Sequence, residues 1–480
     1  MSSSLSSSLS SSLSSSYRRF VSACAALCTC CACATACAPA ATGPAPLWST
    51  DPSGDNPLPD ERTQDQTHGV RTSPDALRRF LPKAIDTAAT DTLLTGWSAQ
   101  LYGAGGWGVF APVLLRFASP LAGDLDDSAL SFVRLDGAMA PVHARASWRT
   151  DPGVLEVQPT APLAAGARVA LVVRRSLVRG QRLARADAFD ASARGAGAHD
   201  VHAAARALTI DDDDIALLVP YRTMQASDDL ERVRDRVKDL VPAFSFADES
   251  DGRHGIFTRA TAPASLSEHP EAIRDRLAGA GVVAVGRFTS QDARDPTTHI
   301  FDPAIVAGAP LHDDDIEVVL IEPDASAFPP PWPAVILQHG FGGSDAFVAD
   351  NAKPFLARGL AVLGIDAVSH GQRGDVVAFF NLSDPRTVRD NLRQTVLDQL
   401  VLERLASAGA IDVDGTPGND LDGSVAYYGH SMGAILGSTF AMVSPSVDVV
   451  AVNAPGGGLC DVFRSTDLVN ELQLLIRPLI

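Results

Sequence analysis

Five short apolar runs in the second half of the chain alternate with polar and helical segments, and this alternation constrains the fold more than any other feature. The runs are IEVVLIEP, PAVILQHG, LAVLGIDA, SVAYYGHS and VDVVAVNAP. Between the third and fourth runs, VRDNLRQTVLDQLVLERL places Val388, Leu392 and Val396 on one helical face, and Asp384 before Pro385 is a favourable helix start. Strands that alternate with helices predict a largely parallel sheet with crossover helices.

The fourth run ends in a G-x-S-x-G sequence formed by Gly429, Ser431 and Gly433. The apolar segment VAYY precedes it, and the helix-compatible AILGSTFAM follows it. This context is typical of a nucleophile elbow, a strained strand-to-helix turn in which flanking glycines keep the strand and the helix from colliding. Glycine and serine are common, so the short match alone is weak evidence. The strand, turn and helix together make Ser431 the candidate nucleophile.

A glycine-rich turn, HGFGG, follows the second run; it spans residues 339–343 and includes Gly340. Such a turn at the carboxyl end of a strand can aim backbone N–H groups at a developing oxyanion. We assign the first donor to Phe341, with Gly342 as the alternative, and the second donor to Met432, which follows the nucleophile. An ordinary sharp turn is the competing interpretation.

Five segments in this order resemble the bacterial virulence-factor lipase family of α/β-hydrolases: QHGFGG, GIDAVSHGQR, RDNLRQTVLDQLVLERL, GHSMGAILG and VNAPGGG. The segment PTAPLAAGARVALVV from Pro159 is similar to the sandwich-like N-terminal domain of that family. The resemblance runs from about Asn56 to Cys460 and is strongest after Pro333. It implies an exported protein that hydrolyses carboxylic esters of lipid-like substrates with Ser431 as the nucleophile and without a cofactor.

The chain departs from the α/β-hydrolase pattern after the elbow. In that fold an acid and then a histidine follow the nucleophile along the chain, but here Asp461 and Asp467 follow Ser431 and no histidine does. We therefore expect the sheet to be incomplete at its carboxyl end, with the catalytic acid and base beyond residue 480. An alternative base is His370, which follows the LAVLGIDA run, although a role in its own turn is favoured. Asp366 is interpreted in the same way.

Two further histidines, His339 and His430, adjoin the two turns and are interpreted as structural. A general base must reach the serine hydroxyl across about 3 Å, and sequence neighbours at an elbow point away from it.

The first half of the chain has a different pattern, with short apolar runs separated by Gly, Pro and Asp turns at the spacing of a β-sandwich. The predicted organisation is an export segment and tether over 1–45, a linker over 46–77, a β-sandwich-like domain over 78–202, a connecting region over 203–300 and an α/β-hydrolase domain over 301–480.

The N-terminus is typical of an export signal. Arg18 and Arg19 precede an apolar run over 20–36, and ATAC, ending at Cys37, is similar to a degenerate lipobox. VSAC, ending at Cys24, is closer to a lipobox in the residues just before its cysteine, but it has little apolar sequence upstream. Lipidation of Cys37 and simple cleavage with release both stay open, so we expect an outer-membrane or cell-surface lipoprotein or a secreted protein. No later run is long enough to span a bilayer.

The formal net charge of -18 argues against a nucleic-acid partner, because binding to nucleic acid requires clustered Lys and Arg side chains on the protein. The carboxylate-rich loop from Asp412 to Asp422 resembles a calcium loop but fails the EF-hand pattern, so a solvated loop is favoured over a calcium site and no metal is assigned. The leading hypothesis is an exported serine esterase or lipase acting on a small ester or lipid. The alternative is an inert surface lipoprotein with a hydrolase-like body that binds a partner, and a peptidase on the same fold cannot be separated by these motifs.

Overall fold

The computed structural model describes residues 42–65, 69–81, 88–102, 105–225, 227–246, 251–379, 384–413 and 420–456. They belong to two compact units. The first unit contains the described residues up to Gln64 and from Trp107 to Thr223, and the second contains those from Asp65 to Gly106 and from Met224 onwards. The predicted export segment with Cys37 lies outside the described residues.

The α-helices of the described residues are α1 (Pro74–Arg78), α2 (Ala88–Tyr102), α3 (Asp187–Arg194), α4 (Ala198–Leu208), α5 (Asp228–Val237), α6 (Ile273–Arg276), α7 (Pro303–Val306), α8 (Ala346–Asn351), α9 (Lys353–Leu356), α10 (Val376–Phe379), α11 (Pro385–Ser407) and α12 (Met432–Val443). Short 3-10 helices lie at Glu61–Thr63, Asp127–Ala129, Asp212–Asp214, Ala264–Leu266, Pro270–Ala272 and Gly371–Arg373.

The strands are β1 (Thr42–Gly43), β2 (Val113–Arg116), β3 (Leu130–Arg134), β4 (Val142–Arg149), β5 (Val154–Pro159), β6 (Arg168–Arg174), β7 (Arg182–Leu183), β8 (Ile215–Arg222), β9 (Phe244–Ser245), β10 (Gly255–Phe257), β11 (Ala280–Asp292), β12 (His312–Pro323), β13 (Trp332–Gln338), β14 (Ala361–Ile365), β15 (Leu421–His430) and β16 (Val449–Asn453).

The first unit is built on a six-stranded antiparallel sheet with the order β2-β5-β4-β3-β6-β8, and β1 pairs with β7 separately. The sheet continues to β8, beyond the boundary predicted at residue 202, because the apolar β8 pairs along the whole of β6. Helix α4 contacts β3 and β8. A two-layer sandwich for this unit stays a prediction.

The second unit contains an eight-stranded mixed sheet with the order β10-β11-β12-β14-β13-β15-β16, and β9 also pairs with β11. Strands β14, β13, β15 and β16 are mutually parallel, as the alternation of strands and helices predicts. Strand β12, however, is antiparallel to both of its neighbours, β11 and β14. Strand β11 lies within the predicted connecting region, yet it is a full member of the sheet because its apolar residues pair along the length of β12.

Both faces of this sheet are covered, and the side chains of β12 show how. Val318 and Leu320 belong to the core beneath α5, α11 and α12, whereas Val319 and Ile321 belong to the core beneath α8 and α9. Successive side chains of a strand point to opposite faces, so a strand buried on both sides is apolar throughout. The carboxyl ends of the parallel strands therefore emerge between two helical layers.

Helix α11 begins as its sequence predicts, since the Asp384 side chain accepts a hydrogen bond from the Arg386 N–H at 3.0 Å. Among the described residues, no helix is long and apolar enough to cross a bilayer.

Candidate active site

Ser431 occupies the turn between β15 and α12 in a strained backbone conformation, with φ of 52° and ψ of -113°. Residues other than glycine rarely adopt positive φ, and such strain persists only where the surroundings hold it. The Ser431 N–H donates to the Asn453 carbonyl at 2.9 Å, and the Ser431 carbonyl accepts from the Ala434 N–H at 2.9 Å. The turn is thus fixed by β16 on one side and by the first turn of α12 on the other.

Two glycines permit this turn. A Cβ atom at Gly429 would lie 2.9 Å from the Ala434 nitrogen and closer still to the Gly433 carbonyl oxygen. A Cβ atom at Gly433 would lie 2.8 Å from the His339 carbonyl oxygen and closer still to that of Gln338. These positions require glycine because the obstructing atoms belong to the backbone.

The glycine-rich turn after β13 lies directly beside Ser431. A Cβ atom at Gly340 would be 3.2 Å from the Ser431 Cβ atom. The turn closes through a hydrogen bond from the Gly343 N–H to the Gly340 carbonyl at 3.1 Å, and Gly342 has a φ of 76°. The structure therefore brings the segment containing the candidate donors Phe341 and Gly342 next to Ser431.

Met432, the other candidate donor, is the first residue of α12 and is buried. The N–H groups in the first turn of a helix have no carbonyl partner within that helix. The helix dipole also favours negative charge at this end. The backbone at Met432 is consequently suited to stabilise an oxyanion that forms beside Ser431.

His339 is buried, and both of its ring nitrogens are engaged. Its Nδ1 atom lies 2.7 Å from the Gly340 carbonyl oxygen, and its Nε2 atom accepts a hydrogen bond from the Ala367 N–H at 3.0 Å. Burial lowers the pKa of His339 to about 4, so the ring is neutral at pH 7. This histidine holds the glycine-rich turn against the segment that follows β14 and has no nitrogen left for Ser431.

His370 packs beneath the exposed ring of Phe341, with ring centroids 5.5 Å apart, and also contacts Phe379 at 5.1 Å. Its Nδ1 atom lies 2.9 Å from the Val368 carbonyl oxygen, and burial lowers its pKa. Its Nε2 atom is buried and has no hydrogen-bond partner among the described residues. No hydrogen bond within the described part of the chain joins His370 or His430 to Ser431; the His430 ring instead stacks on Phe347.

A buried ionic cluster fixes the far end of the glycine-rich turn, and sequence reasoning missed most of it. Asp366 accepts backbone hydrogen bonds from Asp345 and Gln372, each at 2.6 Å, which fits the turn role predicted for it. Arg253 contacts Asp345 at 2.7 Å and Glu317 at 2.7 Å. Burial and then the negative charge of Asp366 raise the pKa of Asp345 to about 8. These groups come from distant parts of the chain, so no local pattern links them.

A second polar network lies beneath the elbow. The Tyr427 hydroxyl donates to the Gly433 carbonyl at 2.7 Å, and the Gln399 amide donates to the Gln338 side chain at 2.7 Å. The sequence contains a pattern that could have predicted this network, because polar residues recur every four positions along one face of α11. Three of these residues are buried in the structure: Asn391, Thr395 and Gln399. The sequence analysis considered only the apolar face of this helix.

The remaining sequence predictions for the site concern groups that the structure does not describe. Asp461 and Asp467 lie outside the described residues, as does the middle of the carboxylate-rich loop, 414–419. Within the described ranges, no group of three or more His, Cys, Asp or Glu side chains is arranged to hold a metal ion.

No protein-family model matches this chain, and no curated protein matches it. Among solved structures, acetyl xylan esterase 1 from Thermoanaerobacterium is 17% identical, with a TM-score of 0.33, over 52% of this chain and 66% of that one. A cold-adapted esterase from an Arctic intertidal metagenomic library is 19% identical, with a TM-score of 0.24, over 35% and 60%. A thermostable carboxyl esterase from Bacillus coagulans is 17% identical, with a TM-score of 0.23, over 34% and 46%.

Each match therefore spans less than two thirds of the solved chain. Because each TM-score is below 0.5, the strand order and the turn geometry carry the structural argument. All three of these solved proteins are esterases.

Proposed function

We propose that this chain is an α/β-hydrolase that cleaves carboxylic esters, with Ser431 as its nucleophile. The observation that carries the proposal is the strained conformation of Ser431 between a parallel strand and a helix, directly beside the glycine-rich turn. A serine on such a strand-to-helix turn is the arrangement that serine hydrolases use. Strain of this kind is retained where it serves a function.

In the proposed reaction, the Ser431 Oγ atom attacks the ester carbonyl carbon, and its proton passes to a general base. The carbonyl oxygen becomes an oxyanion that accepts hydrogen bonds from the Met432 N–H and from the Phe341 or Gly342 N–H. Collapse of this intermediate releases the alcohol and leaves an acyl group on Ser431, and water then releases the carboxylic acid. No step in this scheme requires a cofactor.

The general base and its acid are not assigned to described residues. His339 uses both ring nitrogens elsewhere, and no histidine follows Ser431 in the sequence. If no base reaches Ser431, an oxyanion hole and binding alone give only about 10³- to 10⁴-fold acceleration over water.

The test compares hydrolysis of short-chain p-nitrophenyl esters by the 480-residue chain and by the product of the longest reading frame that contains it. Ser431→Ala in the more active form should lower kcat by at least ~10³-fold. Ser438→Ala is the matched control, since Ser438 lies on the same helix and only bonds the Ala434 carbonyl at 3.0 Å. Hydrolysis that survives Ser431→Ala contradicts the proposal.

A catalytically inert surface protein is the second candidate, because none of the described histidines near the turn is hydrogen-bonded to Ser431. It is supported if neither form shows ester hydrolysis that depends on Ser431. In both cases we propose export, with Cys37 as a lipid anchor or with cleavage and release, and a lipid-like ester as the substrate of the active form. Mass spectrometry of the mature N-terminus distinguishes anchoring from release.

A further inference from the structure

A cavity of about 230 Å³ lies entirely within the first unit, whereas Ser431 belongs to the second. Four parts of the unit form its walls: the segment from Trp48 to Arg62, the helices α3 and α4, residues Leu218–Pro220 of β8, and Arg168 of β6. At roughly 30 Å³ per water molecule, this volume corresponds to about eight waters, which suits a single six-membered ring with its substituents.

Most of the cavity wall is apolar. Phe189 and Leu218 are buried apolar residues that line it, and Leu218 lies on the same face of the sheet as Arg168. The Trp48 ring meets the Phe189 ring edge-on, with centroids 5.8 Å apart and planes at 76°. Aromatic and aliphatic walls favour a ligand that presents C–H groups on at least one face.

The polar groups of the cavity are charged and already paired. Arg168 donates to Glu61 through two hydrogen bonds of 2.7 Å, and to Asp200 through bonds of 2.9 and 2.7 Å. Arg62 donates to Asp60 at 2.9 and 2.6 Å. The hydrogen bond from Arg168 lowers the pKa of Asp200. The lining therefore contains three carboxylates and two guanidinium groups, with no cation left over to attract an anion.

These pairs leave hydrogen-bond acceptors in excess. An ionised carboxylate has about four acceptor positions and a guanidinium group has five N–H donors, so three carboxylates offer more acceptor positions than two guanidinium groups can fill. Arg168 already directs four of its five donors at its two partners. A ligand that donates several hydrogen bonds suits such a lining. An organic ammonium ion is less suitable, because the Arg62 guanidinium already lies 4.6 Å from the Trp48 ring centroid, where such a cation would bind.

From this geometry we propose that the cavity binds one ring of a neutral saccharide. The C–H faces of a sugar ring match the apolar walls, and its hydroxyl groups donate to the carboxylates of Asp60, Glu61 and Asp200. A single ring with few direct contacts implies a Kd on the order of 1 mM. This site is independent of ester hydrolysis, since none of its residues belongs to the unit that contains Ser431.

Isothermal titration calorimetry of the 480-residue chain with glucose, xylose, glucuronate and choline tests the proposal. We expect saturable binding of at least one neutral sugar and weaker binding of glucuronate and choline. Trp48→Leu should weaken sugar binding about tenfold or more. Trp148→Leu is the matched control, because Trp148 also packs edge-on against a phenylalanine of the same unit, Phe117, but does not line the cavity.

Asp200→Asn provides a second variant that keeps the size of the side chain while removing its charge, and it should also weaken binding. The Ser431→Ala variant should bind sugar as the unaltered chain does, whatever the outcome for ester hydrolysis. The proposal is overturned if neither neutral sugar binds, if glucuronate or choline binds more tightly, or if Trp148→Leu reduces the affinity as much as Trp48→Leu.

Discussion

Replacing Gly433 by alanine tests the construction of the elbow in isolation from catalysis. The new Cβ atom would lie 2.8 Å from the His339 carbonyl oxygen and closer still to that of Gln338, whereas ordinary contacts begin at 3.4 Å, so α12 must move away from the end of β13 by more than about 0.6 Å. The Tyr427 hydroxyl, which bonds the Gly433 carbonyl at 2.7 Å, opposes that movement. Overpacking of this kind typically costs about 1–3 kcal/mol, and we expect the upper part of that range because the obstructing atoms belong to the backbone.

Urea unfolding with a fluorescence signal measures this loss as a shift in the midpoint at unchanged slope. Gly108→Ala is the control, because a Cβ atom there would lie 3.5 Å from its nearest neighbour, the Ala111 Cβ atom. In the active form, a displacement approaching 1 Å at the nucleophile should also lower kcat by about 10²-fold. The reasoning is refuted if Gly433→Ala changes the unfolding free energy no more than Gly108→Ala does.

Two further substitutions test the networks around the turns. Tyr427→Phe should cost about 1–3 kcal/mol of unfolding free energy, because the buried Gly433 carbonyl loses its hydroxyl donor. Tyr428→Phe is the control, since the Tyr428 hydroxyl is partly exposed, and it should cost no more than about 0.5 kcal/mol. Urea unfolding of the two variants measures both losses. The pKa of Asp345 is raised from 3.8 to about 8, so its stabilising contribution is complete below about pH 4 and is lost as the pH rises through 8. Asp345→Asn should therefore gain stability relative to the unaltered chain between pH 4 and pH 8, and equal pH profiles for the two proteins would contradict this.

Local patterns were sufficient to predict the elements that form the site. The alternation of apolar runs and helical segments predicts β13, β14, β15, β16 and α11, because each is long, periodic and bounded by turn residues. The positions of Ser431 and the glycine-rich turn follow from this order, since the carboxyl ends of neighbouring parallel strands meet at one edge of the sheet. The distance between Gly340 and Ser431 agrees with that expectation.

Local sequence patterns did not predict the long-range strand pairings or the contacts between buried charged residues. The antiparallel direction of β12 depends on which strands it lies between, and its apolar sequence is compatible with either direction. The contacts of Arg253 with Glu317 and Asp345 join residues 64 and 92 positions apart. The extension of the first unit's sheet to β8, past residue 202, was beyond local patterns for a similar reason, since two helices separate β8 from its partner β6 along the chain.

The way in which the strain at Ser431 is held bears on the choice between an active and an inert protein. A residue in such a conformation costs about 1–3 kcal/mol, and one hydrogen bond returns about 0.5–1.5 kcal/mol. Four hydrogen bonds fix the turn here: Ser431 donates to the Asn453 carbonyl, Ala434 and Ile435 donate to the Ser431 carbonyl, and Tyr427 donates to the Gly433 carbonyl. A protein that only binds a partner through its first unit gains nothing from a strained serine in its second, so the retained strain favours the hydrolase.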